Sequence, residues 1–330
     1  MIVSKTPFRV SFAGGGTDLK SFYSREPGMV LSTSIDKYIW VTVKRQIGIV
    51  EHRYKINWSR LEMVDEIDAI EHPIVREALH LMEIDFAIEI SIYADIPAGT
   101  GVGSSSTFTV GLLHALFALQ GRMASKQELA ALAADIEVVR LQRPMGAQDH
   151  YAASHGDMNV ITFHRDDSVS VDPVLYRPEV RKQLEDNLLL FYTDLKRDSS
   201  EVLRQQDAKT ADKLGTLREM RDLVAPLREV ISRGDDLAQF GRILHEGWML
   251  KKSITSEISS TEIDSLYQRG LDAGALGGKL LGAGGGGFLL FYAEPEVRPA
   301  LISALGDLFH LPFAFDDCGT RITYYDPPTF

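Results

Sequence analysis

A single cysteine, Cys318, in 330 residues has no partner for an internal disulfide, so a framework stapled by disulfides is excluded. Positive charge is also scarce: 35 lysines and arginines stand against 46 aspartates and glutamates, a formal net charge of −11. So acidic a chain offers no general nucleic-acid surface, although a local basic pocket stays open to it. No apolar run reaches the ~18 residues that a membrane helix needs. The N-terminal MIVSKTPFRVSF has neither the apolar core nor the cleavage pattern of a secretory signal. The expectation is a reducing, cytoplasmic setting with small-molecule partners, no nucleic acid and no membrane. Solenoid repeats and low-complexity linkers are missing as well.

What is present is a chain 45% hydrophobic, long enough for a substantial core and for about two domains. From 30 to 46, Leu31, Thr33, Ile35, Ile39, Val41 and Val43 share one parity. From 86 to 94, Phe86, Ile88, Ile90 and Ile92 share a face, and both stretches read as half-buried strands. Residues 104 to 119 have helical length and stop at Gly121, and Ser125 to Glu128 is a capping box for a second helix. Leu129, Leu132, Ala133 and Ile136 follow at helical spacing. Strands are expected at 158–163 and 168–173. After about residue 183 the pattern changes: an apolar run at 188–194 gives way to charged helices from 199 to 255. A helix near 260–273, a glycine-rich run into 288–292, a helix after Pro295 and a strand at 321–325 complete the chain. We read two α+β units, 1–183 and 184–330.

Two glycine-rich loops need sorting. A Walker A loop requires G-x-x-x-x-G-K-[ST], and no lysine stands in that place. Gly282, Gly284 and Gly287 match G-x-G-x-x-G, but a strand follows where a dinucleotide-binding fold needs a helix, so NAD and FAD are rejected. The stretch from Pro97 through Gly99, Thr100, Gly101, Val102 and Gly103 to Ser104, Ser105 and Ser106 lies between a strand and a helix. Its backbone N–H groups and the helix N-terminus form a cradle for phosphate. A helix end supplies only about 0.3–1 kcal/mol per charge at exposed sites, so a polyphosphate there needs a metal with hard oxygen ligands.

These motifs resemble those of the GHMP kinases, a family of sugar and isoprenoid kinases. The first is 9-RVSFAGGGTD-18, the second the Pro97–Ser106 loop with Val102 where Leu is usual, and the third 279-KLLGAGGGGF-288. They stand in family order and the resemblance covers essentially the whole chain. It implies a two-domain α+β fold, a ribosomal-S5-like α/β domain followed by a ferredoxin-like α+β domain, with the active site between them. Gly14 to Asp18, 143-RPMGAQDHYAA-153 and 245-HEGWMLKKS-253 are similar to the branch of bacterial D-glycero-D-manno-heptose 7-phosphate kinases. Gly15 and Gly16 replace the Glu and His that touch sugar in galactokinases.

The resemblance implies ATP and Mg²⁺ as cofactors and a sugar phosphate as substrate, with a homodimer left open. Ser105 and Glu137 would hold Mg²⁺, with N-capping the competing role for Ser104 to Ser106. Asp149 would be the base and Arg9 its cationic neighbour. Gly14, Gly15, Gly16, Thr17 and Asp18 would meet the sugar, as would Gly284, Gly285 and Gly286, for which a hinge is the alternative. Arg197 leads the candidates for a substrate phosphate, ahead of Lys196, Lys251, Lys252, Arg140 and Arg143. Trp40, Trp58 and Tyr54 are the candidates for stacking on adenine. His150, His155 and His245 have no partners spaced for zinc. The reaction implied is phosphorylation of the sugar C1 hydroxyl; a different sugar 1-kinase, or a sensor without catalysis, is the alternative.

Overall fold

The computed structural model describes residues 1–195 and 199–327. Among the described residues twelve strands form two sheets: β1 (Ile2–Ala13), β2 (Gly28–Arg45), β3 (Tyr54–Asn57), β4 (Leu61–Val64), β5 (Ile88–Ala94), β6 (Met158–Phe163), β7 (Val169–Pro173), β8 (Leu188–Tyr192), β9 (Gly277–Leu280), β10 (Phe288–Tyr292), β11 (Phe309–Leu311) and β12 (Arg321–Tyr325). The first sheet runs β12-β1-β2-β5-β3-β4, with β6 and β7 branching from the first half of β2. All its pairings are antiparallel except β3 with β5. The second sheet is antiparallel, in the order β11-β8-β10-β9. β12, which sequence order assigns to the second unit, pairs instead with β1, Ile2 opposite Tyr325. The two halves are interlaced by their ends.

The local chemistry of the site begins in β1. Its register against β2 shifts between Pro7 and Arg9, and such an irregularity re-aims the side chain beside it. Arg9 thereby leaves the plain alternation of the strand and points to the glycine loop.

Helix Ser104–Leu119 is apolar on almost every side and buried across the first sheet, as an all-round hydrophobic helix must be. It ends at the expected glycine: Gly121 N–H donates to Ala118 O (3.0 Å) and Arg122 N–H to Phe117 O (2.9 Å), a Schellman closure. Ser125 caps the next helix, its hydroxyl accepting from Glu128 N–H at 3.1 Å. That helix, Lys126–Ala134, widens into a π-helical turn at Asp135–Arg140. The extra residue in such a turn rotates the side chains that follow, and here it sends Glu137 fully inward. Helix Gln148–His155 follows and carries Asp149 in its first turn.

The second half lays helices Ser199–Lys209, Leu214–Asp222, Val224–Arg233 and Ala238–Lys252 over its sheet and against the first half. One apolar cluster contains Phe8, Val10 and Leu31 from the first half together with Phe240, Phe288 and Tyr292 from the second. Among the described residues no helix is long and apolar enough to cross a membrane.

Candidate active site

Two cavities open on either side of one ion pair. Arg9 Nε and Nη2 donate to Asp149 Oδ1 and Oδ2, each at 2.6 Å, and Nη1 donates to Gly101 O at 2.7 Å. The bidentate fork fixes the carboxylate in orientation as well as in charge. Both cavities are lined by Arg9 and Asp149. One has a volume of about 900 Å³ and borders the glycine loop; the other, about 90 Å³, borders the Gly14–Gly16 turn.

The larger cavity is floored by Gly99, Gly101, Gly103, Ser104 and Ser105. Gly101 and Gly103 have φ of 84° and 81°, in the left-handed region. A Cβ on Gly101 would come 2.6 Å from Leu281 O, and one on Gly103 would sit 3.3 Å from both Arg9 Cγ and Asp149 Oδ2. The bare backbone is thus what lets loop, ion pair and third motif approach one another. Gly103 is itself the N-cap, so no serine caps this helix, and the capping role read for Ser104 to Ser106 is corrected. The Ser104 and Ser106 hydroxyls are buried without a hydrogen-bond partner. The first N–H groups of a helix have no partner within it, so N–H and O–H donors without acceptors collect at this wall.

Glu137 is wholly buried beside that wall. Its Oε1 accepts from Thr109 Oγ1 (3.0 Å) and faces His150 Nε2 (3.1 Å), while Arg143 Nη1 donates to Oε2 at 2.5 Å. Burial pushes the Glu137 carboxyl up, but His150, Arg143 and the Ser105 hydroxyl outweigh it and hold the group below its ordinary range. Among the described residues no cluster of three or more His, Cys, Asp or Glu side chains could hold a metal. Ser105 lines the larger cavity and its hydroxyl reaches the Glu137 carboxylate buried behind it, so the two offer hard oxygens of the kind that suits Mg²⁺.

The smaller cavity is lined by Gly14, Gly15, Gly16, Asp18, Gln148 and Lys251, among others. Asp18 Oδ1 accepts from Gly16 N–H at 2.8 Å, and burial together with the nearby Asp149 carboxylate raises its pKa. Lys251, on helix Ala238–Lys252, donates to Gly282 O and is pushed down to about 8 by burial and by the charge of Arg9. Lys279, the first residue of the third motif, donates to Ser11 O (2.8 Å) and Phe12 O (3.1 Å), tying β9 to the end of β1.

Several expected residues lie elsewhere. Thr17 is buried away from the cavity, its hydroxyl donating to Gly14 O at 2.8 Å, so it closes the turn. Thr100 and Val102 are buried in the loop; Thr100 Oγ1 donates to Pro97 O (3.0 Å), and Val102 O accepts from Arg9 N–H (3.2 Å). Gly284 and Gly286 border the larger cavity, whereas Gly285 N–H donates to Ile258 O at 3.0 Å; Lys279, Gly282 and Ala283 are the third-motif residues that line the smaller cavity. Lys196 and Arg197 lie outside the described residues. Lys252 and Arg140 are paired with Asp264 (2.9 Å) and Asp135 (2.7 Å) on the outside of their helices. Of the aromatic candidates Trp58 borders the larger cavity, Tyr54 is in the core and Trp40 packs near Tyr38 and Lys5.

Sequence reading gave no role to Gln148, Lys279 or His150. The position of Gln148, next to Asp149 in a helix start, was the one available signal. His150 and Glu137 are brought together only by tertiary packing.

The geometry agrees with family models: the GHMP kinases N terminal domain matches residues 54–157 and the GHMP kinases C terminal matches 224–310. Over 318 residues the chain is 30% identical to D-glycero-alpha-D-manno-heptose 7-phosphate kinase of Campylobacter jejuni, covering 92% of this chain and 93% of that one. The chain belongs to the GHMP kinase family. The crystal structure of a D-glycero-D-manno-heptose 1-phosphate kinase from Bacteroides thetaiotaomicron superposes with a TM-score of 0.81 at 25% identity, over 98% of this chain and 99% of that one. A galactokinase of Pyrococcus furiosus is 24% identical, with 92% of each chain covered. This GHMP kinase is accordingly a phosphotransferase with an alcohol group as acceptor and ATP as donor, similar to heptose phosphate kinases. The family, the two-domain α+β fold and the kinase activity read from the sequence stand.

Proposed function

We propose that this GHMP kinase transfers the γ-phosphoryl group of ATP to the anomeric C1 hydroxyl of D-glycero-α-D-manno-heptose 7-phosphate, giving the 1,7-bisphosphate for GDP-heptose and surface polysaccharide synthesis. The observation that carries the reading is the meeting of two cavities on the Arg9–Asp149 pair, with phosphate donors on one side and sugar-facing groups on the other. The kind of sugar comes from the likeness to the Campylobacter jejuni enzyme.

Phosphoryl transfer asks the protein for positioning, charge neutralisation and a group to receive the hydroxyl proton. The N–H groups of the glycine loop and the unpartnered Ser104 hydroxyl hold the β- and γ-phosphates in the larger cavity. Ser105 and Glu137 are the residues that would hold Mg²⁺, whose charge offsets that of the phosphates when bound. Asp149 takes the proton of the C1 hydroxyl at one carboxylate oxygen, and Arg9 keeps that carboxylate aimed while its charge faces the moving phosphoryl group. Asp18 and the Gly14–Gly16 turn orient the sugar ring, and Lys251 keeps a positive charge close to Asp18 and Asp149.

A second reading, an unphosphorylated heptose or a hexose such as fucose, has one observation in its favour. Among the described residues, Arg9, Lys251 and Lys279, the cations that line the smaller cavity, each already bond to protein oxygen. ADP release with Mg·ATP and a panel of heptoses and hexoses, with and without a terminal phosphate, separates the two. Fastest turnover with the 7-phosphate is expected. Equal turnover of the unphosphorylated heptose would assign the second reading, and no turnover with any sugar would overturn both.

A further inference from the structure

Helix Ser199–Lys209 buries Val202 and Gln206 on one face, with Thr210 just beyond its end in line with them. A glutamine in that stripe is out of place: it is 2% exposed, between residues that pack or bond. Its backbone carbonyl accepts from Thr210 Oγ1 at 3.2 Å, but neither side-chain atom of Gln206 finds a hydrogen-bond partner among the described residues. An amide that lines a cavity without a protein partner is open to one supplied by a ligand. The side chain lines the smaller cavity, with its Nε2 so close over the triple-glycine turn that a Cβ on Gly16 would lie 2.2 Å from it.

The helix that carries Gln206 is tied down. Ser21 Oγ donates to Asp207 Oδ1 at 2.5 Å and lies 3.1 Å from Thr210 Oγ1, joining the end of the helix to the first half of the chain. Gln206 is thus held in place before any ligand arrives, as recognition demands. Beneath it the turn presents Gly16, whose N–H is already committed to Asp18, and Gln148, whose Oε1 accepts from Ser11 Oγ at 2.8 Å. The Gln206 amide offers one acceptor and two donor hydrogens, and carries no charge. That chemistry suits a hydroxyl, which can both give and accept, and does not suit a phosphate, for which cations are preferred.

We propose that Gln206 is the sugar-recognition group contributed by the second half of the chain, its amide hydrogen-bonding a hydroxyl of the acceptor over the Gly14–Gly16 turn. The inference rests on the sugar-kinase reading above and adds to it the residue that discriminates between epimers and deoxy sugars. A site built to bond a hydroxyl rejects the analogue that lacks it, because its own buried polar group is then left unpaired.

The test compares the wild-type enzyme with Gln206→Leu and Gln206→Met, two apolar replacements of similar volume, so that one misfolded variant does not end it. Calorimetry measures binding of D-glycero-D-manno-heptose 7-phosphate and of its monodeoxy analogues in the presence of Mg²⁺ and a non-hydrolysable ATP analogue. Sugar binding is expected to weaken about tenfold in the variants, the scale of one hydrogen bond. The KM for ATP and the melting temperature should not change. One deoxy analogue should bind wild type and variant alike, marking the hydroxyl that Gln206 reads. Unchanged sugar binding, or a loss shared equally with ATP, would overturn the assignment. If the wild type binds a sugar and the variants bind it as well, only the Gln206 role fails; if the wild type binds none, the sugar-kinase reading fails and this inference falls with it.

Discussion

Arg9 and Asp149 are bound to each other through two hydrogen bonds, and the Arg9 guanidinium is bound to the glycine loop through a third, so a change at either residue disturbs the other. Asp149→Asn removes the proton acceptor while keeping shape, and kcat is expected to fall about 10²–10⁴-fold, the usual worth of general-base catalysis. Single-turnover kinetics should show the loss in the chemical step with sugar affinity little changed; a kcat within threefold of wild type would remove Asp149 from the base role. Lys251 gives a pH prediction. Its folded-state pKa of about 8 lies below the ordinary 10.5, so between those values the unfolded chain binds the extra proton and stability due to this group rises with pH. Activity should run the other way: the ammonium facing Asp18 and Asp149, with Arg9 and Lys279 as its cationic neighbours, is lost above pH about 8. An alkaline limb near pH 8 in kcat/KM for the sugar is expected, and Lys251→Met should abolish it; persistence of the limb in that variant would assign it to another group. At this scale the motif residues were legible because each type has a narrow chemical use. Gln206, Lys279 and His150 were not, because their meaning lies in what tertiary packing sets beside them.

At the scale of elements, the loop and its helix form one device. Helix Ser104–Leu119 is anchored by its apolar length, and its N-terminus is kept open by a glycine N-cap. The loop is pressed from the other side by the third motif, where a Cβ on Gly282 would lie 2.5 Å from Gly101 Cα. Gly101→Ala adds a methyl group 2.6 Å from Leu281 O at a φ of 84°, and Gly99→Ala adds one into open space at a φ of 80°. The Gly99 variant should lose only about 1 kcal/mol of stability from the left-handed backbone. The Gly101 variant should lose more and should also raise the KM for ATP at least about tenfold, because the loop must shift. Urea denaturation and initial-rate kinetics of the two variants side by side check this; equal effects would mean that the contact with Leu281 does not set the loop. The sequence revealed this helix, its start, its Schellman stop and the Ser125 cap, all of which are local codes. It did not reveal the π-helical turn, since the stripe of Leu129, Ala133 and Ile136 runs into it without a break. Nor did it reveal β3, β4 and β11, short strands whose pairing is decided by distant partners.

For the whole molecule, a cut at residue 183 falls within helix Pro178–Asn187, and the apolar core does not respect it. Phe8 and Val10 share a cluster with Phe240 and Tyr292, and β12 closes the first sheet from the far end of the chain. Heat should therefore unfold the protein in one transition, and segments 1–183 and 184–330 expressed apart should not regain native circular dichroism. Two separate calorimetric peaks would show independent units. The interlacing was hidden from the sequence because β12 looks like any short edge strand and its partner is more than 300 residues away. What the interlacing achieves is a cleft in which the glycine loop, the Arg9–Asp149 pair and the Gly14–Gly16 turn meet beside Lys251 and Gln206. Phosphorus–proton correlation spectroscopy of the reaction of Mg·ATP with D-glycero-D-manno-heptose 7-phosphate reads the outcome of that arrangement directly. A new phosphorus resonance coupled to the anomeric proton, formed one for one with ADP and lost with Asp149→Asn, is the result expected. Phosphate on any other hydroxyl, or ADP released to water alone, would contradict it.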